Sequence, residues 1–145
     1  MKVFDYPPLW LLAFMGVAYG WSLAWSFDLT ELAVTGGLFM VLALGVMVWA
    51  AVTLARAKTT VIPHRAPDAL VISGPFRFTR NPIYLADLAF LFGFALAVEQ
   101  PLAASLCLPF FVVLDRRFAA PEERRLHAAF GEDFVAYANR VRRWL

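Results

Sequence analysis

The chain has 145 residues, enough for a single domain, and 61% of them are hydrophobic while 17% are charged. Soluble domains contain about 45–50% apolar residues, so this composition excludes an ordinary soluble protein of this length. The formal net charge of +2 comes without any nucleic-acid-binding motif, and the basic residues are therefore expected to meet anionic lipid head groups. Membrane lipids, and not nucleic acid, are the predicted surroundings.

Two long uncharged stretches come first in the chain, at residues 9–25 and 32–54. At a rise of 1.5 Å per residue, the second is long enough to cross a hydrocarbon core of about 30 Å, and the first is close to that length. No small-residue cleavage site precedes Asp28, so the first stretch is not interpreted as a signal peptide. Residues 1–56 are therefore predicted to contain two spanning helices.

A third apolar region, residues 83–114, is interrupted at its centre by Glu99 and Pro101. Each half is short for a full crossing, and a proline inside a helix removes a hydrogen bond and clashes with the preceding turn. The pattern predicts a helical hairpin, and it leaves open whether both arms cross the membrane completely. Asn81 is a favourable N-cap and Pro82 a favourable first residue for the first arm.

The basic residues are distributed on one side of the predicted membrane. With four crossings, every lysine and arginine falls at Lys2, in residues 55–82 or in residues 115–145, and the opposite side carries only acidic residues. Positive charge stays on the cytoplasmic side, so both termini are predicted to be cytoplasmic. The expected protein is all-α and polytopic, in the inner membrane, with two spans, a helical hairpin, and cytoplasmic segments at residues 57–82 and 115–145.

The last segment has the pattern of an amphipathic helical tail. Between residues 121 and 145, apolar residues occur every three or four positions, at Leu126, Phe130, Phe134, Tyr137, Val141 and Leu145. This spacing places them on one helical face, which is expected to lie on the membrane or against the cytoplasmic loop. Gly131 is expected to interrupt the helix. Four arginines on the opposite face are expected to contact phosphate head groups: Arg124, Arg125, Arg142 and Arg143.

Two short motifs flank the hairpin. Residues 80–84 read Arg-Asn-Pro-Ile-Tyr before its first arm, and the pair Glu122-Glu123 follows its second arm. A hairpin returns the chain to the side that it left, so the two motifs are expected to meet at one cytoplasmic mouth. Over about residues 59–144, the chain resembles the integral membrane methyltransferases that include isoprenylcysteine carboxyl methyltransferase and the phospholipid N-methyltransferases. The signature of that family is Arg-His-Pro or Arg-Asn-Pro followed by Tyr, then a helical hairpin, a Glu-Glu pair and an amphipathic tail.

The resemblance implies methyl transfer from S-adenosyl-L-methionine to a lipophilic acceptor. It implies cofactor contacts from Leu70, Val71, Gly74, Arg80, Asn81, Pro82, Tyr84, Glu122 and Glu123. Within the acidic pair, which would bind the ammonium or the ribose, Glu123 is favoured as the more important carboxylate. Asn81 stands where the family more often has histidine, so no titrating base is available at that position.

Asp87 is singled out by its position. It lies three residues after Tyr84 on the same helical face, within an apolar run. An acid at such depth is costly unless it faces protein or a polar cavity, so Asp87 is a candidate for orienting a substrate. An interfacial acid one turn inside the helix is an equally good interpretation. Arg80, Tyr84 and Asp87 are together the candidate catalytic residues.

No metal site is predicted. Methyl transfer from a sulfonium is an in-line displacement with a good leaving group, so it needs orientation and exclusion of water more than it needs a metal ion. Cys107 and the two histidines, His64 and His127, are isolated in the sequence and do not form a metal-binding pattern.

Other hypotheses stay open. Arg80 alone is typical of a membrane anchor, and Glu122 and Glu123 alone are typical of a first helical turn. A non-catalytic membrane interaction protein would share the hydropathy but would not need both motifs around one hairpin. An NADPH-linked membrane reductase is less favoured, because the sterol reductases, whose C-terminal architecture is similar, are much longer. The acceptor class is left open between an isoprenylcysteine carboxylate, a phospholipid amine and a small thiol, and the sequence gives no oligomeric state.

Overall fold

The computed structural model of the chain describes residues 6–25, 27–58 and 69–145. Within these ranges the protein is helical and contains no β-strand. Residues 59–68 of the predicted cytoplasmic loop, with His64 among them, lie outside the described residues. The all-α prediction is therefore confirmed for the part of the chain that the structure describes.

The first two helices are α1, Pro7–Ala24, and α2, Thr30–Arg56. Both are long and apolar enough to cross a membrane, and both leave most of their residues unburied by the rest of the protein. Helix α1 begins with a proline because the first helical position needs no backbone N–H and suits the fixed φ of that residue. The prediction of long apolar helices over residues 9–25 and 32–54 is confirmed.

The third apolar region folds as the predicted helical hairpin. Helix α3, Pro82–Ala97, ends at a turn in which Glu99 has a left-handed backbone, with a φ of 56°. The chain returns through a 3₁₀ turn, Pro101–Leu106, into helix α4, Cys107–Val113. Gln100 is fully buried and donates a hydrogen bond from Nε2 to the carbonyl oxygen of Trp25, which follows the last residue of α1. This bond ties the turn of the hairpin to the first helix.

Asn81 is the N-cap residue of α3, as predicted, but its side chain makes no capping hydrogen bond. The side-chain amide donates instead to the carbonyl oxygen of Arg143, 3.0 Å away. Pro82 is the first residue of α3, as predicted. Asn81 therefore joins the start of the hairpin to the C-terminal end of the chain.

Helix α4 continues through a wide π-helical turn, Leu114–Ala119, into helix α5, Ala120–Arg140. The predicted interruption at Gly131 is confirmed, since this residue has a φ of 50° and a ψ of −120°, a conformation that favours glycine. The prediction that the helix extends to Leu145 is wrong, because the backbone becomes extended at Val141. The last residues turn back across the segment that precedes α3.

Helix α3 is the centre of the bundle, since α1, α2 and the return arm of the hairpin all pack against it. Its contact with α2 is made where two glycines meet. A Cβ atom on Gly93 would come within 2.7 Å of the carbonyl oxygen of Gly36. Small residues let helices approach closely in a membrane, where association depends on packing and not on the hydrophobic effect. The crossing places the C-terminal half of α2 beside the first turns of α3.

Replacing Gly36 with alanine is expected to destabilise the bundle. The new methyl group would overlap the backbone of Gly93 and Ala97, and overpacking of this kind costs about 1–3 kcal/mol. Gly37→Ala is the matched control, because nothing lies within 4 Å of a Cβ atom at that position. Thermal unfolding in detergent should show a lower midpoint for Gly36→Ala alone. Equal midpoints for the two variants would contradict the close crossing.

Candidate functional site

A cavity of about 470 Å³ lies at the end of the bundle where α3 begins. This volume is within the range of about 300–1,000 Å³ that is typical of small-molecule sites. Its walls come from the start of α1, the C-terminal half of α2, the segment before α3, the first turns of α3, and α5. The segment before the hairpin and the helix after it therefore contribute to one cavity.

Nine of the ten residues that the sequence analysis proposed for the site line this cavity. They are Leu70, Val71, Arg80, Asn81, Pro82, Tyr84, Asp87, Glu122 and Glu123. Because α3 leaves this end of the bundle and the return arm brings the chain back to it, the two flanking motifs become neighbours despite their separation in sequence.

Gly74 is the one proposed residue that does not line the cavity. It has a φ of 58°, and a Cβ atom there would lie 2.6 Å from Oγ1 of Thr53 and 3.3 Å from Nε1 of Trp49. The backbone at Gly74 is therefore packed closely against side chains of α2, and not against the cavity. Gly74 starts a 3₁₀ turn, Gly74–Arg77, and this turn places the next aromatic residue, Phe76, in the cavity wall.

The apolar face of the tail supplies lining residues that the sequence analysis did not assign to the site. Leu126, Phe134 and Tyr137 lie in the cavity wall beside Phe76. The Tyr137 hydroxyl donates a hydrogen bond to the carbonyl of Phe76 at 2.7 Å, and burial raises the pKa of Tyr137 to about 12. The helical periodicity identified this face, and of the two partners expected for it, the membrane and the cytoplasmic loop, the loop is found at Phe76, where the face packs over the cavity.

Arg143 was expected to contact lipid phosphates, and this prediction is wrong. Its guanidinium binds Oε2 of Glu123 through Nη2 at 2.6 Å and through Nε at 3.0 Å, and it reaches Asp115 at 3.3 Å. The hydrogen bonds with Glu123 raise the pKa of Arg143 above its ordinary value. On the other side of the same carboxylate, Nη1 of Arg80 lies 3.3 Å from Oε1. Glu123 is therefore shared by two arginines that come from distant parts of the chain.

Glu122 is in a different environment from its neighbour. Its Oε2 accepts a hydrogen bond from the Tyr84 hydroxyl at 2.8 Å. The residue keeps accessible surface where it lines the cavity, but enclosure of its carboxyl group by protein raises the pKa of Glu122 above the ordinary value. The hydrogen bond from Tyr84 and the charge of Arg125 oppose this rise.

Several polar groups at the cavity are not used by the protein itself. Asp87 is buried, and no hydrogen bond or ion pair joins it to another described residue. Nε of Arg80 is buried without a hydrogen-bond partner in the described part of the chain, and the buried Oε1 of Glu123 has the ion pair with Nη1 of Arg80 but no hydrogen bond there. Buried polar groups normally have partners, so the carboxylate of Asp87, which lines the cavity, is available to a polar group there. Among the described residues, no three His, Cys, Asp or Glu side chains are grouped as metal ligands.

Glu122→Gln is expected to change the pH dependence of stability. Because the folded state raises the pKa of Glu122, its unfolded state ionises first, and stability falls as the pH rises from the ordinary pKa to the raised one. The amide cannot ionise, so this variant should unfold at a higher temperature than the parent above that interval and at the same temperature below it. Melting curves across the pH range test this, with Glu132→Gln, at an exposed position of α5, as the control. A difference that is constant with pH would contradict it.

Comparison with known families identifies the chain. The sequence profile of the phospholipid methyltransferase family matches residues 32–133, more than half of the chain. The matched region contains all but the first two residues of α2, the hairpin and both flanking motifs. No curated protein and no solved structure gave a significant match. The chain therefore belongs to the phospholipid methyltransferase family, a family of membrane methyltransferases.

Proposed function

We propose that the protein uses S-adenosyl-L-methionine to methylate a lipophilic acceptor at the membrane. The observation that carries this proposal is the cavity itself, in which the residues before and after the hairpin face one cofactor-sized space with charged groups of both signs. Membership of a methyltransferase family supplies the reaction class. The cofactor and the acceptor are inferred from the chemistry of the cavity wall.

The donor set of the cavity fits the proposed cofactor. When bound, S-adenosyl-L-methionine supplies an electrophilic methyl group on a sulfonium, and it also carries an ammonium, a carboxylate, a ribose and an adenine. The Glu122 carboxylate suits the ammonium or a ribose hydroxyl, and the unused Nε–H of Arg80 suits a carboxylate. Phe76 and Phe134 offer flat apolar surfaces. Glu122 is preferred here over Glu123, since two arginines already hold Glu123.

The residues of the chain act by orientation and by exclusion of water. Glu122 fixes the hydroxyl of Tyr84 in the cavity, and the apolar walls keep water from the reacting groups. Asp87 lies one turn further along α3, where its unused carboxylate can orient the acceptor. No covalent step on a side chain is required, because the displacement transfers the methyl group directly.

An acceptor that enters from the bilayer agrees with the apolar part of the cavity wall. One side is formed by Pro7 and Pro8 at the start of α1, and another by Met47, Ala51 and Leu54 of α2. These residues carry no charge and lie on the two helices that are long and apolar enough to span. Three acceptor classes fit an apolar wall of this kind: an isoprenylcysteine carboxylate, a phospholipid amine and a small thiol compound.

We further infer that both termini lie in the cytoplasm, with two spans and a hairpin in the inner membrane. The one-sided distribution of basic residues supports this orientation. On this topology the cavity opens at the cytoplasmic face, where a soluble cofactor is present. The alternatives differ in what they bind: a non-catalytic membrane protein would bind no such cofactor, and a reductase would bind NADPH in competition with it.

Purified protein in detergent is expected to bind S-adenosyl-L-methionine, and Glu122→Gln should weaken this binding. Loss of a charge-assisted hydrogen bond costs about 1.5–3 kcal/mol, or roughly ten-fold to over a hundred-fold in affinity. Glu132→Gln, at an exposed position of the same helix, should bind like the parent.

Asp87→Asn removes a carboxylate from the acceptor side, so it should lower turnover and leave cofactor affinity within about three-fold.

Calorimetry measures the affinity for the cofactor, and transfer of a labelled methyl group from the cofactor to a membrane extract measures turnover. A parent protein that binds neither the cofactor nor its demethylated product would refute the proposed function. A collapse of cofactor affinity in Asp87→Asn, with turnover unchanged at saturation, would refute the role of Asp87 alone.

The proposed topology predicts opposite labelling at the two ends of the bundle. In a variant without Cys107, a cysteine at Asn139 on α5 should resist an impermeant thiol reagent in intact cells, because it faces the cytoplasm. A cysteine at Asp28, in the connection between α1 and α2, should react. Permeabilised cells provide the control, since both positions are exposed there. Efficient labelling at Asn139 in intact cells would contradict the proposed cytoplasmic location of α5. A cysteine at Thr60 should also resist the reagent, since residues 55–82 are predicted to be cytoplasmic, but this position lies outside the described residues.

A further inference from the structure

We propose that Arg143 is a positioning residue that holds the charged end of the cavity in its ligand-binding form. Arg143 belongs to the C-terminal strap, defined as residues 141–144, which follows α5. This role rests on the proposed function, since the ligand is taken to be S-adenosyl-L-methionine. Arg143 itself does not line the cavity, and it acts through three residues that do: Arg80, Asn81 and Glu123.

The backbone of the strap is bound to the segment before α3 by three hydrogen bonds. The backbone N–H of Arg80 donates to the carbonyl of Arg142 at 3.0 Å. The carbonyl of Arg143 accepts from Oγ1 of Thr79 and from Nδ2 of Asn81, each at 3.0 Å. Thr79 and Asn81 are buried, so these bonds replace hydration that the segment has lost. The strap therefore sets the position of the residues at the cavity mouth.

The side chains of the strap fix it to the return arm and to α5. Arg143 binds Glu123 and Asp115, and the indole N–H of Trp144 donates to the same Oδ1 of Asp115 at 3.1 Å. The Trp144 ring packs on Phe111, with ring centroids 4.8 Å apart. The strap thus connects both sides of the cavity mouth, the segment before α3 and the helix after the hairpin.

The sharing of Glu123 has a consequence for Arg80. With Arg143 on Oε2, the carboxylate is already paired, and Arg80 lies at a looser 3.3 Å with its Nε–H unused. Of the two arginines that pair with this largely buried carboxylate in the described part of the chain, Arg80 would remain when Arg143 is removed, and it would be drawn to Glu123 because a buried charge requires a partner. Its guanidinium would then be neutralised by Glu123 and lost to an anionic ligand group. Arg143 therefore keeps Arg80 available to the cavity.

Arg142 and Arg143 provide a matched pair for testing this role. Arg142 takes part through its backbone carbonyl, and its side chain is exposed. Arg142→Ala keeps that carbonyl and removes one positive charge. Arg143→Ala removes the same charge together with the contact to Glu123. Arg143→Lys keeps the charge but loses the bidentate geometry of the guanidinium.

The experiment measures binding of S-adenosyl-L-methionine by calorimetry to the purified full chain in detergent. Arg143→Ala should bind about ten-fold more weakly or worse, Arg143→Lys should be intermediate, and Arg142→Ala should bind like the parent. The KM for the cofactor should rise in Arg143→Ala while kcat at saturation stays within about three-fold, the pattern of lost uniform binding. The decisive variant is the double substitution of Arg143→Ala with Glu123→Gln, which removes the carboxylate that would capture Arg80.

The double variant should bind the cofactor more tightly than Arg143→Ala does, because Arg80 is released. Because Arg143 and Glu123 are in direct contact, a purely structural role is recognised by a different pattern: affinity should then fall in step with the melting midpoint across the variants, with kcat affected as well as KM. Parent-like binding in Arg143→Ala, or additive losses in the double variant, would overturn the proposal. If Arg143→Ala does not fold, the same comparison is decided with Arg143→Lys, alone and combined with Glu123→Gln. Failure of the parent to bind the cofactor would instead count against the proposed function.

Discussion

The carboxylate of Glu123 is the point on which the site depends, because it joins three distant parts of the chain. Arg80 reaches it from the segment before the hairpin, and Arg143 reaches it from the C-terminus, while Glu123 itself lies on the helix after the hairpin. Removal of a charge from water costs several kcal/mol unless a partner of opposite sign is present. The three charges therefore favour one arrangement of loop, hairpin and tail, and the cavity takes its form from that arrangement.

Two adjacent glutamates differ here because successive helical residues point about 100° apart. Glu123 is directed between the two arginines, while Glu122 is directed to Tyr84 and the open cavity. The first is paired by the protein itself, and the second is exposed in the cavity wall, where the surrounding protein raises its pKa. An accessible carboxylate in a cavity wall can meet a ligand group. This contrast is the physical reason why ligand binding is proposed for Glu122, although the motif alone favoured Glu123.

The sequence was sufficient for the elements and for nine of the residues that line the cavity. Hydropathy located α1 and α2, the proline after Gln100 located the hairpin turn, and helical spacing located the apolar face of α5. The roles of Asn81 and Arg143 were not predictable, because each depends on where the chain runs after α5 ends. A guanidinium on an amphipathic tail suits lipid phosphate and a carboxylate equally well, and only the tertiary path brings it to Glu123.

The crossing of α2 and α3 explains how one small bundle can hold a charged mouth beside an apolar wall. The two helices are in backbone contact where Gly36 meets Gly93, at the end opposite to the cavity. At the other end the same helices supply different surfaces: Ala51 and its neighbours on α2 are apolar, whereas Tyr84 and Asp87 on α3 are polar. Because the close crossing fixes one helix relative to the other, the polar residues of α3 are held at a constant distance from the wall of α2. An acceptor chain lying along that wall would therefore present its head group to the polar residues, and orientation of this kind is what methyl transfer chiefly needs.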